Sequence, residues 1–323
     1  MTHIRIAISA ALIAVVGQHG ASANEPYPSR PITIVVPYPA GGSDIQLRKI
    51  QAALSESLGR PVIIENRPGA SGAIAAVSVA RAKPDGYTLL HANNGLLITP
   101  IVNKRAGYSL LKDFTPITTL TISPMVLLVK ANLPVKNLPE FLRLAQSSPN
   151  GLRYASSGLA SLSHIETARF GDAAQIKLEH IPYKGQANGT LALRTGEVDM
   201  MLTPPSTDML GLVEQGTLRA LGVASTAPNH PIAPKLPTLQ TVIPGFVSEA
   251  WFGLLAPAGT PEEVINKLNA ALRKVMTEAE VRSSMLSSGA VVQMSTPAEF
   301  GALMDKNASQ MRDAVTKSRI ETE

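Results

Sequence analysis

The feature that most limits the fold of this chain is the stretch over residues 32–44, which reads ITIVVPYPAGGSD. A run of β-branched apolar residues ends at a turn rich in proline and glycine, and residues with helical spacing follow at once. The pattern predicts a buried strand, a tight loop and the first turn of a helix. In an open α/β sheet such a junction lies at the carboxyl ends of the strands, where ligands bind. Because the first N–H groups of a helix have no intrahelical partner, the junction can bind an anion.

A second junction of the same kind follows residues 152–155, where a short apolar strand leads into a loop rich in serine and glycine and then a helix. Strands and helices alternate along the rest of the chain, which favours an α/β architecture. Two Thr-Pro-x-Glu sequences, beginning at Thr260 and Thr296, predict helices capped by the threonine. Residues 92–95 predict a loop, and the proline-rich residues 228–244 predict an extended connector without an ordered element.

The N-terminus has the pattern of a secretory signal peptide. A basic start at Arg5 is followed by an apolar run over residues 6–16 and by Ala21-Ser22-Ala23, an A-x-A cleavage pattern. The apolar run is too short to span a bilayer as a permanent helix. We therefore expect residues 1–23 to be a signal peptide that is cleaved near Ala23, and the protein to be exported.

Composition excludes several classes of function. The chain has no cysteine, which excludes disulfides, thiolate catalysis and cysteine-ligated zinc. Its histidines show no spacing typical of a metal site, so we expect neither a metal nor a cofactor. The formal net charge is +5, but lysine and arginine are scattered, without the basic stripe that nucleic-acid binding needs. A mild positive excess is compatible with an anionic ligand.

Two places in the chain suit a crossing between lobes, one near Ser123 and one near Thr241. They predict a first lobe of residues 24–123 plus 242–323 and a second lobe of residues 124–241. Two crossings form a hinge, and a hinge allows closure around a ligand.

Several motifs, in order along the chain, resemble those of the tripartite tricarboxylate transporter receptors, the Bug family. These motifs are the opening loop at residues 37–44, VIIENRPGASG at 62–72, PDGYTLL at 84–90, YASSG at 154–158, IPYKG at 181–185, GTLRAL at 216–221 and WFGLLAPAGTP at 251–261. The resemblance implies a two-lobed, periplasmic-binding-protein-like α/β fold with a ligand cleft between the lobes. It further implies a monomeric periplasmic receptor that binds a small carboxylate, such as a di- or tricarboxylate, an amino acid or an aromatic acid. Its partners would be the membrane subunits of a tripartite tricarboxylate transporter.

The candidate ligand-binding residues lie on the loops of the two junctions and on loops near them. On the first loop they are Tyr38, Pro39, Ala40, Gly41, Gly42, Ser43 and Asp44. Glycine lets backbone amides approach a ligand closely. Asp44 suits two roles: it can stabilise the helix dipole or pair with an ammonium or hydroxyl group of the ligand. Family members usually have one more residue before this aspartate, so the direction of its side chain stays open.

On the second loop and the neighbouring loops the candidates are Ser156, Ser157, Gly158, Ser161, Asn93, Tyr183 and Thr203. Serine hydroxyls can donate hydrogen bonds to a carboxylate, so binding does not require an arginine. The sequence departs from the family pattern on these loops. Ala160 stands where glycine is common, Asn188 stands where proline is usual, and Thr203-Pro204 replaces a more polar pair. The identity of the ligand therefore cannot be inferred from the family.

Two other functions compete with transport. A serine hydrolase would pair Ser157 with His164, but the chain has no G-x-S-x-G motif and no acid placed to orient the imidazole. We therefore expect no catalytic residues and no enzyme. The second alternative is a receptor that reports ligand occupancy to a two-component sensor, and the sequence does not distinguish it from a transport receptor.

Overall fold

The computed structural model describes residues 26–41, 43–226, 228 and 230–320. The predicted signal peptide, residues 1–23, lies outside the described residues. Two β-sheets, each covered by helices on both faces, form two α/β lobes. None of the helices in these ranges combines the length and the apolar character needed to cross a membrane.

In the described part of the chain, the first sheet has six strands in the order β11-β4-β10-β3-β1-β2. Its strands are β1 (Ile32–Val36), β2 (Val62–Asn66), β3 (Thr88–Asn93), β4 (Phe114–Pro124), β10 (Glu249–Pro257) and β11 (Val291–Val292). Strand β1 pairs in parallel with β2 and β3, whereas β10 runs antiparallel to β3 and β4. The predicted strand β1 is confirmed, and its apolar side chains are buried on both faces of the sheet, as expected for a parallel sheet between helices.

Six helices of the described residues cover this sheet. They are α1 (Asp44–Leu58), α2 (Ala73–Ala80), α3 (Asn94–Val102), α8 (Glu262–Met276), α9 (Ala279–Ser287) and α10 (Pro297–Lys317). Helix α1 buries the residues that its 3.6-residue period places on one face, and α8 packs beside it. Helices α2, α3 and α10 cover the opposite face. The carboxyl end of β1 leads through a short loop into α1, and the carboxyl end of β3 leads directly into α3.

The second sheet, as far as the chain is described, has five strands in the order β7-β6-β8-β5-β9. Its strands are β5 (Val126–Lys130), β6 (Leu152–Ser156), β7 (Leu178–Pro182), β8 (Met200–Thr203) and β9 (Leu218–Val223), and its helices are α4 (Leu138–Ser147), α5 (Leu162–Ala174), α6 (Gln186–Thr195) and α7 (Thr207–Glu214). Strand β6 runs into α5, as the second junction predicts.

The chain crosses between the sheets at two adjacent segments. The outward crossing is at Met125, and the return leads from Ala224 to Ser248 and β10. The two segments are hydrogen-bonded to each other: Met125 N–H donates to the Ser248 carbonyl at 2.9 Å, and Ala224 N–H donates to the Met125 carbonyl at 2.8 Å. Short paired segments of this kind can change their dihedral angles without disturbing either sheet, which suits a hinge.

Three local expectations need correction. Thr296 forms the predicted capping box of α10, but Thr260 does not cap α8, because its hydroxyl donates to the Pro257 carbonyl at 2.8 Å. Residues 92–95 are the end of β3 and the start of α3, not a loop. The connector at 228–244 contains a 3-10 turn at Leu239–Thr241, and Thr238 pairs with Val223.

Candidate functional site

Asp44 holds the conformation of the first loop, which connects β1 to α1. The buried Asp44 carboxylate accepts the Gly41 N–H at 2.9 Å and the Arg48 Nε–H at 2.7 Å. Pro39, Ala40 and Gly41 are exposed, Ser43 is half-buried, and Gly42 lies outside the described residues. The sequence left two roles open for Asp44, stabilisation of the helix and contact with the ligand. In this structure the carboxylate has the first role, because it stabilises the loop and the first turn of α1.

Tyr38 links the first loop to α3. Its hydroxyl donates to Asn93 Oδ1 at 3.0 Å, and its carbonyl accepts a hydrogen bond from Asn66 Nδ2 at 3.0 Å. Burial raises the pKa of the Tyr38 phenol, so the group stays neutral. The same Asn93 oxygen accepts the Leu96 N–H at 3.3 Å and so caps α3. Asn93, predicted as a ligand contact, therefore acts here by positioning Tyr38 and α3.

The second loop, between β6 and α5, is organised around Ser163, a residue that the sequence analysis missed. The Ser163 hydroxyl accepts the Ser157 N–H at 2.9 Å, and it lies 3.0 Å from the Ser157 hydroxyl and 3.2 Å from the Ser161 hydroxyl. Ser161 caps α5 by accepting the His164 N–H at 3.3 Å. The loop thus brings two serine hydroxyls to the N-terminus of a helix.

Two stacked imidazole rings form hydrogen bonds with residues of this loop. The rings of His164 and His180 lie 3.6 Å apart between centroids. His164 Nδ1 accepts the Ala160 N–H at 3.0 Å, and His180 Nε2 lies 2.7 Å from the buried Ser156 hydroxyl. Burial and the neighbouring His180 lower the pKa of His164 to about 4, so the ring is neutral near pH 7. Ser156 therefore connects the loop to His180 and is not at the cavity surface.

The two loops meet at a cavity of about 800 Å³ between the lobes. Of the predicted residues, Tyr38, Ser157, Gly158 and Ser161 line it. The other lining residues were not predicted: Ala70, Ser71, Gly95, Ile98, Thr99, Val102, Asn103, Leu159, Ala160 and Leu162. Ser71 belongs to the VIIENRPGASG motif, which could have pointed to this wall, whereas nothing in the sequence marks the α3 face.

Tyr183 and Thr203 do not line this cavity. The Tyr183 ring packs against the core beneath one face of the second sheet, and burial together with the nearby Glu197 raises the pKa of its phenol to about 12. Thr203 is buried at the end of β8, where it is paired with Val126. In the described part of the chain no cluster of three or more histidine, aspartate or glutamate residues could hold a metal ion.

Two α/β lobes around a central cavity define a two-lobed solute-binding protein. Residues 46–316 match the family described as the tripartite tricarboxylate transporter family receptor. The chain belongs to this family, whose members are periplasmic substrate-binding receptors and not enzymes.

Individual relatives cover nearly the whole chain. The UPF0065 protein in the tcbD-tcbE intergenic region of Pseudomonas sp. (strain P51) is 33% identical over 297 residues, covering 91% of this chain and 88% of that protein. The structure of MatC from Rhodopseudomonas palustris with bound malate is 33% identical, with a TM-score of 0.72, and the match covers 90% of this chain and 100% of that one. The structure of R. palustris Rpa4515 with adipate is 30% identical, with a TM-score of 0.76, and the match covers 91% of this chain and 99% of that one.

Proposed function

We propose that the protein is exported to the periplasm, binds a small carboxylate between its lobes and delivers it to a tripartite tricarboxylate-type membrane transporter. The observation that supports this most is the interlobe cavity, because loops from both lobes line it. The N-terminal turns of α3 and α5 also reach it, through Gly95 and through Ser161 and Leu162. The bound malate and adipate of the two related structures are both carboxylates, which agrees with this class of ligand.

Uncharged groups of this cavity are sufficient to bind a carboxylate. Serine hydroxyls such as those of Ser157 and Ser161 can each donate a hydrogen bond, and so can the free N–H groups of a helix N-terminus. A hydrogen bond to a charged group contributes about 1.5–3 kcal/mol. Three or four such bonds would support a dissociation constant of about 1 μM when the cost of association is modest.

The division into lobes is part of the proposal. Residues 24–123 with 242–323 would form one lobe and residues 124–241 the other, with cleavage of the signal peptide near Ala23 and a monomeric mature protein. The paired segments at Met125 and Ser248 would act as the hinge. Closure about this hinge would bring Ser157 and Ser161 toward α3 and exclude water from the ligand.

The proposal is tested by thermal unfolding of the protein lacking residues 1–23 against a panel of organic acids, followed by calorimetry on each acid that stabilises it. At least one acid should bind with 1:1 stoichiometry and be recovered unchanged. Ser157→Ala should weaken binding at least about tenfold, the loss expected for one hydrogen bond to a charged group.

Ser147→Ala is the matched control, because Ser147 is an exposed serine at the end of α4, away from the cavity. It should bind as the unmodified protein does. Equal affinities for Ser157→Ala and Ser147→Ala would refute the assignment of the cavity. A panel in which no carboxylate binds would refute the proposed function itself.

A further inference from the structure

One face of α5 is turned toward the first lobe from the first turn of the helix to the last. Its residues Leu162, Ile165, Arg169 and Asp172 are spaced by three or four positions, so they lie on the same side of the helix. The helix contacts both α3 and α10 of the first lobe. The element that carries the second ligand loop at its N-terminus therefore packs against the other lobe.

Ile165 is buried in the core of the first lobe, although the chain places it in the second. Its side chain is fully buried in a cluster of apolar residues that includes Leu97 of α3 and Met304 and Met311 of α10. Among the described residues of the second lobe, Ile165 is the one buried member of this cluster. Separation of the lobes would expose this side chain to water, which costs free energy.

Polar contacts hold the other end of α5. The Arg169 guanidinium lies over the Phe246 ring, 4.4 Å from its centroid, and donates to the Val247 carbonyl of the return crossing. The Asp172 carboxylate lies 3.4 Å from the Ser318 hydroxyl, just beyond α10. Exposed polar contacts contribute little free energy, so they orient the helix, whereas the burial of Ile165 holds it in place.

We infer that Ile165 is a positioning residue for ligand binding. Its burial against α3 and α10 holds the N-terminus of α5, with Ser157 and Ser161, at the interlobe cavity. The inference rests on the proposed function, because it assumes that this cavity binds the ligand. The ligand and the burial of Ile165 stabilise the same arrangement of the lobes, so the two are thermodynamically coupled. The apparent affinity falls with the fraction of molecules in this arrangement.

The first test measures the arrangement of the lobes without any ligand. Because the chain has no cysteine, Ala52→Cys on α1 and Ser147→Cys on α4 provide two unique exposed positions for spin labels. Double electron–electron resonance on the labelled protein lacking residues 1–23 should give one main distance. Ile165→Ala should add a second population, because the packed arrangement loses most of the buried side chain.

The second test measures affinity by calorimetry with adipate and malate, the acids bound in the two related structures. Ile165→Ala should weaken binding about fivefold or more. Ile165→Val removes a single methyl group and keeps the β-branched shape, so it should weaken binding only about two- to fourfold.

Leu193→Ala is the matched control. Leu193 is fully buried on helix α6, in a cluster whose described members all belong to the second lobe. This variant should lower the free energy of unfolding as Ile165→Ala does. It should leave the label distances unchanged and the affinities within twofold of those of the unmodified protein.

The outcomes separate the inference from the proposed function. If Ile165→Ala gives the same distances as Leu193→Ala, or binds the acids as tightly, Ile165 has only a structural role and the inference is wrong while the carboxylate receptor stands. If neither adipate nor malate binds, the acid of the panel that binds most tightly takes their place in the comparison. If no carboxylate of the panel binds, the proposed function is wrong, and the distances alone decide whether Ile165 holds the lobes together.

Discussion

At the scale of single residues, His164 makes the second loop sensitive to acid. Its folded-state pKa is about 4, lowered from 6.5 by burial and by His180. Between these two pH values an unfolded chain takes up a proton that the folded chain does not. Lowering the pH through this window therefore reduces the free energy of unfolding, by about 3 kcal/mol for a fully desolvated ring and by roughly 2 kcal/mol when partial solvation of the ring is allowed for, whereas above pH 6.5 the stability is fully retained.

The measurement is the free energy of unfolding of His164→Asn between pH 7 and pH 4. The Asn Oδ1 can replace Nδ1 as acceptor for the Ala160 N–H but does not titrate, so the variant should lose less stability than the unmodified protein. His164→Leu, which removes the acceptor, should be less stable than His164→Asn at pH 7 and should bind the ligand more weakly. Identical pH profiles for His164→Asn and the unmodified protein would contradict the assignment.

The residues that the sequence correctly places at the cavity are those that belong to a local pattern. Ser157, Gly158 and Ser161 follow a recognisable strand and precede a helix, so their place at the cavity could be expected. Ile98 and Val102 could not be found in this way, because apolar residues on a helix look the same whether they face a core or a ligand. Whether they line the cavity depends on where α3 lies relative to the other lobe, and no local signal encodes that position.

At the scale of elements, Gly253 allows β10 and α10 to pack closely. A Cβ atom at this position would collide with the Phe300 ring and lie 2.8 Å from the Thr118 carbonyl oxygen. We expect Gly253→Ala to lower the free energy of unfolding by about 1–3 kcal/mol, the usual cost of overpacking a core.

Chemical unfolding of Gly253→Ala checks this against Gly211→Ala. Gly211 is a helical glycine in α7 with no atom within 4 Å of an added Cβ, and its substitution should raise stability by up to about 1 kcal/mol. The expectation fails if the two variants change the stability in the same direction.

The two Thr-Pro-x-Glu sequences show how far element boundaries follow from local pattern. Both begin a helix near the expected residue, but only Thr296 caps its helix, whereas the Thr260 hydroxyl donates to the preceding turn. Strand β4 escaped prediction because it is rich in threonine. Its buried hydroxyls find partners far along the chain, such as the Ser295 carbonyl for Thr118 and the Gln293 carbonyl for Thr119. These hydrogen bonds form only in the folded sheet, so a local sequence pattern cannot indicate them.

At the scale of the whole molecule, the single tryptophan of the chain lies where the lobes meet. Trp251 is buried on β10, close to the return crossing, and its Nε1–H donates to Asn307 Oδ1 at 2.8 Å. It borders a small cavity of about 160 Å³ whose other walls include Glu166 and Arg169 of α5, from the second lobe. A change in the angle between the lobes would alter the surroundings of the indole.

Tryptophan fluorescence should therefore report ligand-induced closure. A saturating acid identified by calorimetry is expected to change the intensity or wavelength of emission. Trp251→Phe should abolish the signal and leave the calorimetric dissociation constant within about twofold, because Trp251 does not line the ligand cavity. Binding seen by calorimetry without any change in emission would contradict closure about this hinge.

The place of β10 in the first sheet has a consequence for biogenesis. It lies between β3 and β4, yet the chain supplies it only after every strand of the second sheet has been made. The second sheet can form as soon as residues 126–223 emerge. Until β10 is synthesised, β3 and β4 each have an unpaired edge on the side where β10 will bind. A chain that stops before residue 249 would keep those edges open and be prone to aggregate, so the first lobe becomes competent only when synthesis is nearly finished.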